Sequence, residues 1–435
     1  MSTDQSPTGY AQAEEPQAPP EVDSATLRAL IEKFSVHSRV SLENHEAIYR
    51  EMRESCPVAR SSSHGGFYAL SRYRDVYDAA HKPDMFSSFP VTIPPFGNPV
   101  PMIPIEMDPP VHRKYRTLVG AQFSPNSVDA NEPKLRGIVS TILDGIEGRS
   151  QADLAEEVAI AVPLRAIFEV YLGVPQKDWA MLKREFLYLL EPDPDKTDEE
   201  NTERAMEAGL NCTMYFAELL EERRTNGFGD DLISHLAQAE LDGQRLTDDE
   251  IFGFCLVLVP AGFDTTASLL SRLLLIFAEQ PDVRERLEQV IDDPDKLDLA
   301  VEELVRFIPP QPGVARNVTA ATTFADTELT EGDRLLLLWP SANRDPEEFP
   351  NPDELVFDRQ PNRHLGFGSG IHRCLGSHLA RLEIKILLQE FLRRVPRYRV
   401  APGEQPLWHT GNTWGVTRLP VAFENWGTAA AGAGE

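Results

Sequence analysis

The chain has 435 residues, of which 41% are hydrophobic and 26% charged, an ordinary balance for a soluble protein with a large core. Its formal charge of −27 argues against broad binding to nucleic acid or to an anionic membrane, because both repel an acidic surface. The four cysteines, Cys56, Cys212, Cys255 and Cys374, are far apart. This spacing predicts neither a disulfide framework nor a paired-cysteine metal knuckle, and it fits a reducing cytoplasm.

The ends of the chain differ in character from its body. Residues 1–22 are polar and Pro-rich, lack the apolar segment of a signal peptide and are expected to be disordered, and residues 427–435 are expected to form a flexible tail. No internal repeat or long linker interrupts residues 23–426, so one catalytic domain is the simplest division. The longest nearly apolar run, 252–263, stops at Asp264, short of the ~20 residues that span a bilayer, and no membrane anchor is predicted.

The predicted elements are mostly helical. FYAL, residues 67–70, has the pattern of a strand, and RDVYDAA, residues 74–80, that of a short helix. From 131 to 280 apolar residues recur at steps of three and four, which predicts helices throughout the middle of the chain. FADTELTEGDRLLLLWP, residues 324–340, predicts two extended stretches around a turn with glycine. The expected fold class is mainly α with small β-sheets.

The segment HLGFGSGIHRCLGSHLAR, residues 364–381, crowds glycines around Cys374 at the approach to an apolar helix-like run. From Phe367 to Gly376 it reads F-G-x-G-x-H-x-C-x-G. Cys374 is therefore expected at the N-terminal end of a helix, where free N–H groups and the helix dipole favour a thiolate.

Three interpretations of this sulfur compete. A cysteine is most often simple core packing, although the glycine pattern weakens that interpretation. A nucleophile paired with His372 would make the chain a cysteine hydrolase, but an imidazole two residues away in an irregular loop need not face the sulfur. The third interpretation is a metal ligand with a single protein thiolate, which haem iron accepts.

The stretch resembles the haem-binding loop of the cytochrome P450 family, and further matches follow in family order over roughly residues 40–420. The resemblance implies the P450 fold, with haem between the long central helix and the loop that carries the cysteine. It implies a bacterial-type haem-thiolate monooxygenase with haem b as cofactor and O2 as co-substrate. In this family Cys374 would be the axial ligand of the iron.

The resemblance also implies the surroundings of the cofactor. DPPVHRKYR, residues 108–116, matches the helix whose His112 and Arg116 bind the haem propionates, and GVARNV supplies Arg316 on a strand. Without this context a His and an Arg four apart would more simply be a solvated helix face. The implied cofactor-binding residues are His112, Arg116, Ala261, Gly262, Arg316, Phe367, Gly368, His372, Cys374 and Gly376.

VPAGFDTTAS, residues 259–268, is the candidate catalytic stretch. An acid followed by threonines inside an apolar helix is locally unfavourable, and such violations often mark function. The stretch resembles the family's oxygen-binding helix, with Asp264 and Thr265 as the catalytic acid–alcohol pair. The alternative is an ordinary buried helix whose threonine bonds to its own carbonyls. Pro260 is expected to kink the helix.

Three further residues have an implied structural role. EELVR contains Glu303 and Arg306, and FDR contains Arg359. By resemblance they form a buried ion network that braces the cysteine side of the haem, and loss of Arg306 is expected to prevent haem retention. Taken alone, a Glu and an Arg three apart would be a weak surface pair.

The substrate site is less sharply defined. Family topology would bring residues 87–104, 309–314 and 408–414 over the haem, and their many Pro and apolar residues predict a compact, mainly apolar substrate such as a terpenoid or an aromatic. Hydroxylation, oxidative dealkylation and epoxidation all remain open. The candidate pocket residues are Ile93, Phe96, Ile103, Val259 and Val314.

Electrons are expected from outside the chain, because it has no G-x-G-x-x-G nucleotide unit and no four-cysteine iron–sulfur pattern. A ferredoxin and its NAD(P)H-dependent reductase are the expected partners. Arg363, Arg373 and Arg381, with Arg113 and Lys114, form a candidate basic docking patch. A peroxide-using or isomerising haem enzyme is a second interpretation, and a haem sensor or carrier is a third, although a sensor needs no acid–alcohol pair.

Overall fold

A computed structural model of the protein describes residues 23–95, 100–190, 196–424 and 426. Helices form the body of the molecule and small sheets lie at its margins. The expectation of a mainly α fold with minor β-structure is confirmed. The two tails expected at 1–22 and 427–435 lie outside the described residues.

The helical segments carry most of the described chain. The α-helices are α1 Ser24–Glu32, α2 Arg39–Glu43, α3 His45–Ser55, α4 Tyr73–Ala80, α5 Val111–Gly120, α6 Pro125–Ala130, α7 Glu132–Asp144, α8 Ala161–Arg165, α9 Trp179–Leu190, α10 Asp198–Asn226, α11 Leu232–Gln238, α12 Asp248–Glu279, α13 Pro281–Glu288, α14 Pro294–Phe307, α15 Trp339–Ala342 and α16 Ser377–Arg394. Short 3-10 or π-helical turns cover Ser63–Gly65, Ala155–Ile160, Ala166–Tyr171, Gln176–Asp178 and Gly370–His372.

The strands are short. They are β1 Val58–Ser61, β2 Phe67–Leu70, β3 Phe86–Ser87, β4 Gln151–Asp153, β5 Glu240–Leu241, β6 Gln244–Arg245, β7 Val314–Val318, β8 Thr322–Phe324, β9 Thr327–Leu329, β10 Arg334–Leu337, β11 Tyr398–Val400, β12 Leu407–His409, β13 Gly415–Arg418 and β14 Pro420–Phe423. The expectation of two extended stretches around a turn with glycine in 324–340 is confirmed, since β9 and β10 lie on either side of Gly332. A tight turn at Ala325 and Asp326, both with positive φ, separates β8 from β9, and β10 follows Gly332.

The largest sheet has the strand order β1-β2-β10-β7-β3. β10 runs parallel to β2 and antiparallel to β7, and its Leu335 pairs with Arg316. Arg316 therefore projects from an interior strand whose backbone is held on both edges. The β12–β13 hairpin packs separately against α12 and brings residues 407–418 to the central helix.

α12 is the central helix. Thr247 caps its N-terminus in a capping box with Glu250, and acidic side chains in the first turn complement the helix dipole. The helix continues through Pro260, and the kink expected there stays a prediction. By length and composition α12 alone among the described helices could cross a membrane, but 83% of its apolar window is buried within the protein, as in the core helix of a globular domain.

A buried ion network fixes the segment that precedes the cysteine loop. Glu303 on α14 accepts hydrogen bonds from Arg306 at 2.8 Å and from Arg359 at 3.0 Å. Arg306 also donates to the carbonyls of Asn343 and Glu354, each at 2.9 Å. Glu303 and Arg306 are 0% exposed, so the network ties α14 to the irregular chain at 343–359 through groups that no water can replace.

Replacing Arg306 with Ala is expected to destabilise the fold by about 3 to 5 kcal/mol, because Glu303 and several carbonyls lose a buried donor. Chemical unfolding followed by circular dichroism measures the difference. Lys296→Ala on the same helix is the control, since its ion pair with Asp293 is largely exposed. That variant is expected to change stability by less than about 0.5 kcal/mol. Equal effects of the two substitutions would contradict a bracing role for the network.

Candidate active site and cofactor cavity

A cavity of about 1860 Å³, measured with its open mouth, lies between α12 and the loop that leads into α16. Cys374 borders it on the loop side and Thr265 on the helix side. This volume includes solvent space at the mouth, so the lining residues, and not the volume, decide what the cavity can hold.

Cys374 lies deep in the fold, but its surface opens onto the cavity. Its backbone N–H donates to the Phe367 carbonyl at 2.8 Å. Burial raises the pKa of the thiol, although the Gly376 N–H and the charge of Arg116 act to lower it. The helix dipole contributes little to this pKa, because α16 begins only at Ser377 and its dipole acts mainly within its first turn, and the anionic sulfur stays a prediction. A metal ion at the sulfur would replace the thiol proton outright.

His372 does not form a catalytic pair with Cys374. Its ring packs against His112 with 4.3 Å between the ring centroids, and neither of its nitrogens has a hydrogen-bond partner in the described chain. Burial, reinforced by the charges of Arg316 and other neighbours, lowers the pKa of His372 to about 2. Such a weakly basic imidazole cannot activate a thiol as a nucleophile, which removes the main support for a cysteine hydrolase.

Cations line one side of the cavity without a counter-ion. Arg116 on α5 and Arg316 on β7 both border it, and neither forms an ion pair with a described residue. Arg316 is 4% exposed, donates to the Ala315 carbonyl at 2.7 Å, and has a pKa lowered to about 10 by burial. The buried Nε2 of His112 also lacks a partner within the described ranges. Buried donors of this kind require an anion or several acceptors.

These residues fit haem. Its iron accepts a single thiolate, which Cys374 offers, and its two carboxylates match the unpaired donors of Arg116, Arg316, His112 and His372. The fit rests on two independent features at the same cavity, a sulfur open to it and cations and imidazole nitrogens for which the described residues supply no anion.

The remaining predicted cofactor residues also border the cavity. They are Ala261, Gly262, Phe367, Gly368 and Gly376. Gly262 has a second constraint, since a Cβ there would lie 2.3 Å from Ile167 Cδ1, so only glycine lets α12 pack this closely on its neighbour. Phe367 lies beneath the guanidinium of Arg381, which is 4.3 Å from the ring centroid.

Thr265 and Asp264 face different partners. The Thr265 hydroxyl borders the cavity and donates to the Ala261 carbonyl at 2.9 Å. This is the bond to the helix's own carbonyl that is expected of a threonine in an ordinary buried helix. Asp264 is 6% exposed and accepts a hydrogen bond from Thr413 at 2.7 Å. Burial raises the pKa of the Asp264 carboxyl. The two side chains are thus adjacent in sequence, but Asp264 is held by the late hairpin and not by Thr265.

The predicted substrate residues divide into two groups. Val314 borders the cavity, as do other residues of the expected segments such as Val91 and Gln311. The structure does not bring Ile93, Ile103 or Val259 to the cavity wall, which corrects the prediction.

Each of the three misplaced residues has a packing partner elsewhere. Ile93 belongs to a separate apolar cluster with Phe34 and Trp414, and Ile103 packs on Gly253 of α12. Val259 is fully buried in the core and does not border the cavity. Phe96 lies outside the described residues.

The predicted docking patch is smaller than expected. Arg381 is held by a bidentate ion pair with Glu302, and Lys114 pairs with Asp242. Arg113, Arg363 and Arg373 are exposed and form no ion pair with a described residue. The charge available to a partner therefore comes from these three arginines.

Glu383 is a cavity residue that the sequence interpretation missed. It lies on α16, is 1% exposed, and neither carboxyl oxygen accepts a hydrogen bond of normal geometry from the described residues. Burial raises its pKa to about 8, against the opposing effect of the nearby Thr266 hydroxyl. The sequence contains a pattern that could have indicated this residue. Glu383 interrupts the apolar face that Leu379 and Ile386 define at helical spacing.

Comparison with known proteins identifies the family. The cytochrome P450 family model matches residues 164–423. A steroid C26-monooxygenase from Mycobacterium tuberculosis is 34% identical over 382 residues, which cover 87% of this chain and 93% of that protein. The crystal structure of CYP109E1 from Bacillus megaterium in complex with testosterone matches with a TM-score of 0.80 and 30% identity, covering 89% of this chain and 100% of that chain.

A second solved structure agrees. Mycobacterium marinum CYP268A2 in complex with pseudoionone has a TM-score of 0.79 at 27% identity and covers 94% of this chain and 100% of that chain. The fold and the site define a haem-thiolate oxidoreductase. The chain belongs to the cytochrome P450 family and is a monooxygenase of the bacterial type that uses haem, O2, an organic substrate and an external source of electrons.

Replacing Glu383 with Gln is expected to stabilise the protein more at high pH than at low pH. An unfolded Glu releases its proton near pH ~4.3, whereas the folded protein keeps it up to about pH 8, so stability falls as pH rises across this window. Gln has no proton to release in this pH range, so the stability of the Glu383→Gln variant does not fall for this reason. The expected gain in the free energy of unfolding is on the order of 1 to 3 kcal/mol at about pH 8 and near zero at about pH 5.

Chemical unfolding of the haem-loaded protein at both pH values measures this gain. Glu390→Gln, on the same helix, is the control, because its carboxylate already pairs with Arg136 at 2.8 Å and no stabilisation is expected there. A pH-independent effect of Glu383→Gln would contradict a carboxyl that stays protonated in the folded state.

Proposed function

We propose that this protein hydroxylates a compact, mainly apolar substrate of the steroid or terpenoid class in the cytoplasm, with electrons from a ferredoxin and its NAD(P)H-dependent reductase. The observation that carries the proposal is the single cavity that joins Cys374, a set of unpaired cations and an apolar wall next to Thr265. A cofactor and a substrate can meet only where these features adjoin.

The cofactor proposed is haem b. Cys374 would bind the iron, and Arg116, Arg316, His112 and His372 would bind its carboxylates. No C-x-x-C-H motif for covalent haem attachment occurs among the cysteines of the sequence. Haem with a thiolate ligand supplies reductive activation of O2, and the thiolate favours cleavage of the O–O bond.

The proposed roles of the distal residues follow from their bonds. Because the Thr265 proton is donated to Ala261, the Thr265 oxygen can accept a hydrogen bond from a group in the cavity. Asp264 borders the same cavity, and burial raises the pKa of its carboxyl, which favours the protonated form that can release a proton toward that group. We propose that Thr265 orients the proton acceptor and Asp264 supplies the proton.

The proposed substrate class rests on the wall of the cavity and on the relatives. Val91, Met102, Val257, Leu258 and Val314 contribute apolar surface near Thr265, and Thr92 and Gln311 add polar groups. A rigid apolar body with a polar group at one end suits such a wall. One relative is named as a steroid monooxygenase. Two similar solved structures hold testosterone and pseudoionone, which are apolar molecules with a polar group.

Two absorption experiments on the purified holoprotein test the proposal. The reduced protein with carbon monoxide is expected to give a strongly red-shifted Soret band that Cys374→Ser lacks. Titration with testosterone is expected to shift the Soret band of the oxidised protein, because a substrate displaces water next to the haem. A missing carbon monoxide band would overturn the haem-thiolate site, whereas a normal band without a response to testosterone or a terpenoid ketone would overturn only the substrate class.

The proposed ferredoxin surface consists of Arg113, Arg363 and Arg373, which we call the proximal basic patch. Arg116 on α5 donates to the carbonyl of Arg373, so the helix that carries Arg113 is tied directly to the cysteine loop. The chain as a whole carries a net charge of −27 and would repel an acidic partner. The three exposed arginines of this patch form no ion pair in the described chain and would attract such a partner to this part of the surface.

Replacing Arg373 with Glu is expected to slow reduction by ferredoxin on the order of tenfold at low ionic strength, with a smaller difference at high salt, because screening weakens the steering. Stopped-flow formation of the carbon monoxide complex measures the rate. Arg399→Glu on β11, another exposed arginine without an ion pair in the described chain, makes the same charge change and is expected to leave the rate nearly unchanged. Equal reduction rates for the wild type and both variants would contradict a role for the proximal basic patch in binding ferredoxin.

A further inference from the structure

We propose that His409 and Thr413 form a proton relay that connects Asp264 to solvent, with His409 as the outer positioning residue. The inference deepens the proposed function, since it concerns the supply of protons to the same acid. His409 and Thr413 belong to the β12–β13 hairpin, and none of the sequence motifs assigns them a role.

The relay is a continuous chain of hydrogen bonds. Thr413 Oγ1 lies 2.7 Å from Asp264 Oδ2 and 2.9 Å from His409 Nε2. Thr413 is 5% exposed and Asp264 6% exposed, whereas His409 as a whole residue is half-buried, although its Nδ1 atom is covered. Both Asp264 and Thr413 border the cavity, and His409 does not. The inner end of the chain thus meets the cavity and the outer end lies toward the surface.

The hairpin geometry holds this chain in place. His409 ends β12 and Thr413 lies in the turn before β13, and the two strands pair through His409 and Gly415. Gly415 packs closely on α12, since a Cβ there would lie 2.6 Å from Ser268 Oγ and 2.9 Å from His409 Cε1. A larger residue at position 415 would push the imidazole away from the helix.

The hydroxyl of Thr413 has one proton, which sets the direction of both bonds. When Asp264 is ionised, Thr413 must donate to it and can only accept from His409, so His409 Nε2 carries a proton. When Asp264 is protonated on Oδ2, it donates to Thr413, and Thr413 donates to an unprotonated His409 Nε2. The same three residues therefore satisfy their hydrogen bonds in two states that differ only in the positions of the protons.

The transfer between these states is balanced. His409 Nδ1 is buried in this structure, so it takes up a proton from water only when the half-buried end of the hairpin moves outward. The Nε2–H bond then breaks as that proton passes to Thr413 Oγ1. The original Oγ1–H bond breaks as its proton passes to Asp264 Oδ2. His409 ends neutral with its proton on Nδ1, Thr413 is unchanged, and Asp264 is neutral. When Asp264 has given a proton to the cavity, a second transfer requires His409 to lose its Nδ1 proton and regain one on Nε2, after which Thr413 again donates to Asp264.

Two observations favour a relay over a simple brace. No Arg or Lys pairs with Asp264 among the described residues, and His409 is the charged group that acts on its pKa, in the lowering direction, against the larger effect of burial. Ser268, the other polar group from α12 near this imidazole, lies 3.5 Å from Nε2, at the limit of a hydrogen bond. The Asp264 carboxyl is therefore set by the hairpin and not by a surface ion pair.

The experiment compares variants that separate bonding from proton transfer. His409→Gln keeps an N–H donor for Thr413 but cannot exchange protons as an imidazole does. Thr413→Val removes the hydroxyl, and Thr413→Ser retains it. Thr417→Val is the matched control in the same hairpin, because Thr417 is a half-buried residue of β13 whose hydroxyl donates to the Leu407 carbonyl and not to the relay. Each is measured as the haem-loaded protein after its carbon monoxide spectrum is shown to be normal.

The readout that does not depend on turnover is the infrared C=O stretch of protonated Asp264, assigned by its loss in Asp264→Asn. His409→Gln and Thr413→Val are expected to shift this band and its midpoint pH, and Thr413→Ser and Thr417→Val to leave both near wild type. With reductant and ferredoxin, product formed per O2 consumed is expected to fall about tenfold or more in the first two variants, with peroxide as the balance.

The outcomes distinguish the relay from the proposed function. Restoration of coupling by free imidazole in His409→Ala would support proton transfer through that position. An unchanged C=O band and unchanged coupling in His409→Gln and Thr413→Val, with a normal carbon monoxide band, would overturn the relay and leave the monooxygenase intact. A missing carbon monoxide band in the wild type would instead overturn the proposed function itself.

Discussion

Asp264 is a carboxyl group in the middle of an apolar helix, and the protein buries it almost completely. Such a group is costly unless nearby polar atoms bind it or it stays protonated. Here the hairpin of β12 and β13 supplies Thr413, and through it His409, so the position of the acid depends on a segment 149 residues away. The close packing of Gly415 on α12 is part of the same arrangement.

Another part of the cavity wall carries buried positive and N–H groups, which are also costly without a partner. Arg116, Arg316 and His112 are buried or half-buried donors that face a cavity without an anion from the described chain. Desolvation of such donors is costly unless an anion or several acceptors lie close to them, so the two carboxylates of haem would offset this cost. Binding to the folded state alone would then add directly to its stability. The rigid strand β7 and the ion network around Glu303 keep these donors in place before the cofactor arrives.

Much of the fold and part of the site could be predicted from sequence. Helical periodicity gave the mainly α class correctly, and the strand at 67–70 and the helix that carries His112 lie where they were expected. The errors have a common cause. Ile93, Ile103 and Val259 are as apolar as Val314, and only packing decides which of them faces the cavity. Arg381 is as basic as Arg373, but Glu302 neutralises it from another helix.

By itself the sequence determined the family and the residue available to bind the iron, because the glycines, His372 and Cys374 act within one short stretch and their spacing is visible in the chain. Only the tertiary structure decided the burial of Cys374, the partner of Asp264 and the lack of an ion pair for Arg316 within the described chain. Those properties depend on burial and on contacts between distant segments, such as His409 with Thr413 and Thr413 with Asp264. Desolvation and long-range hydrogen bonds leave no local pattern, since they exist only after the chain has folded.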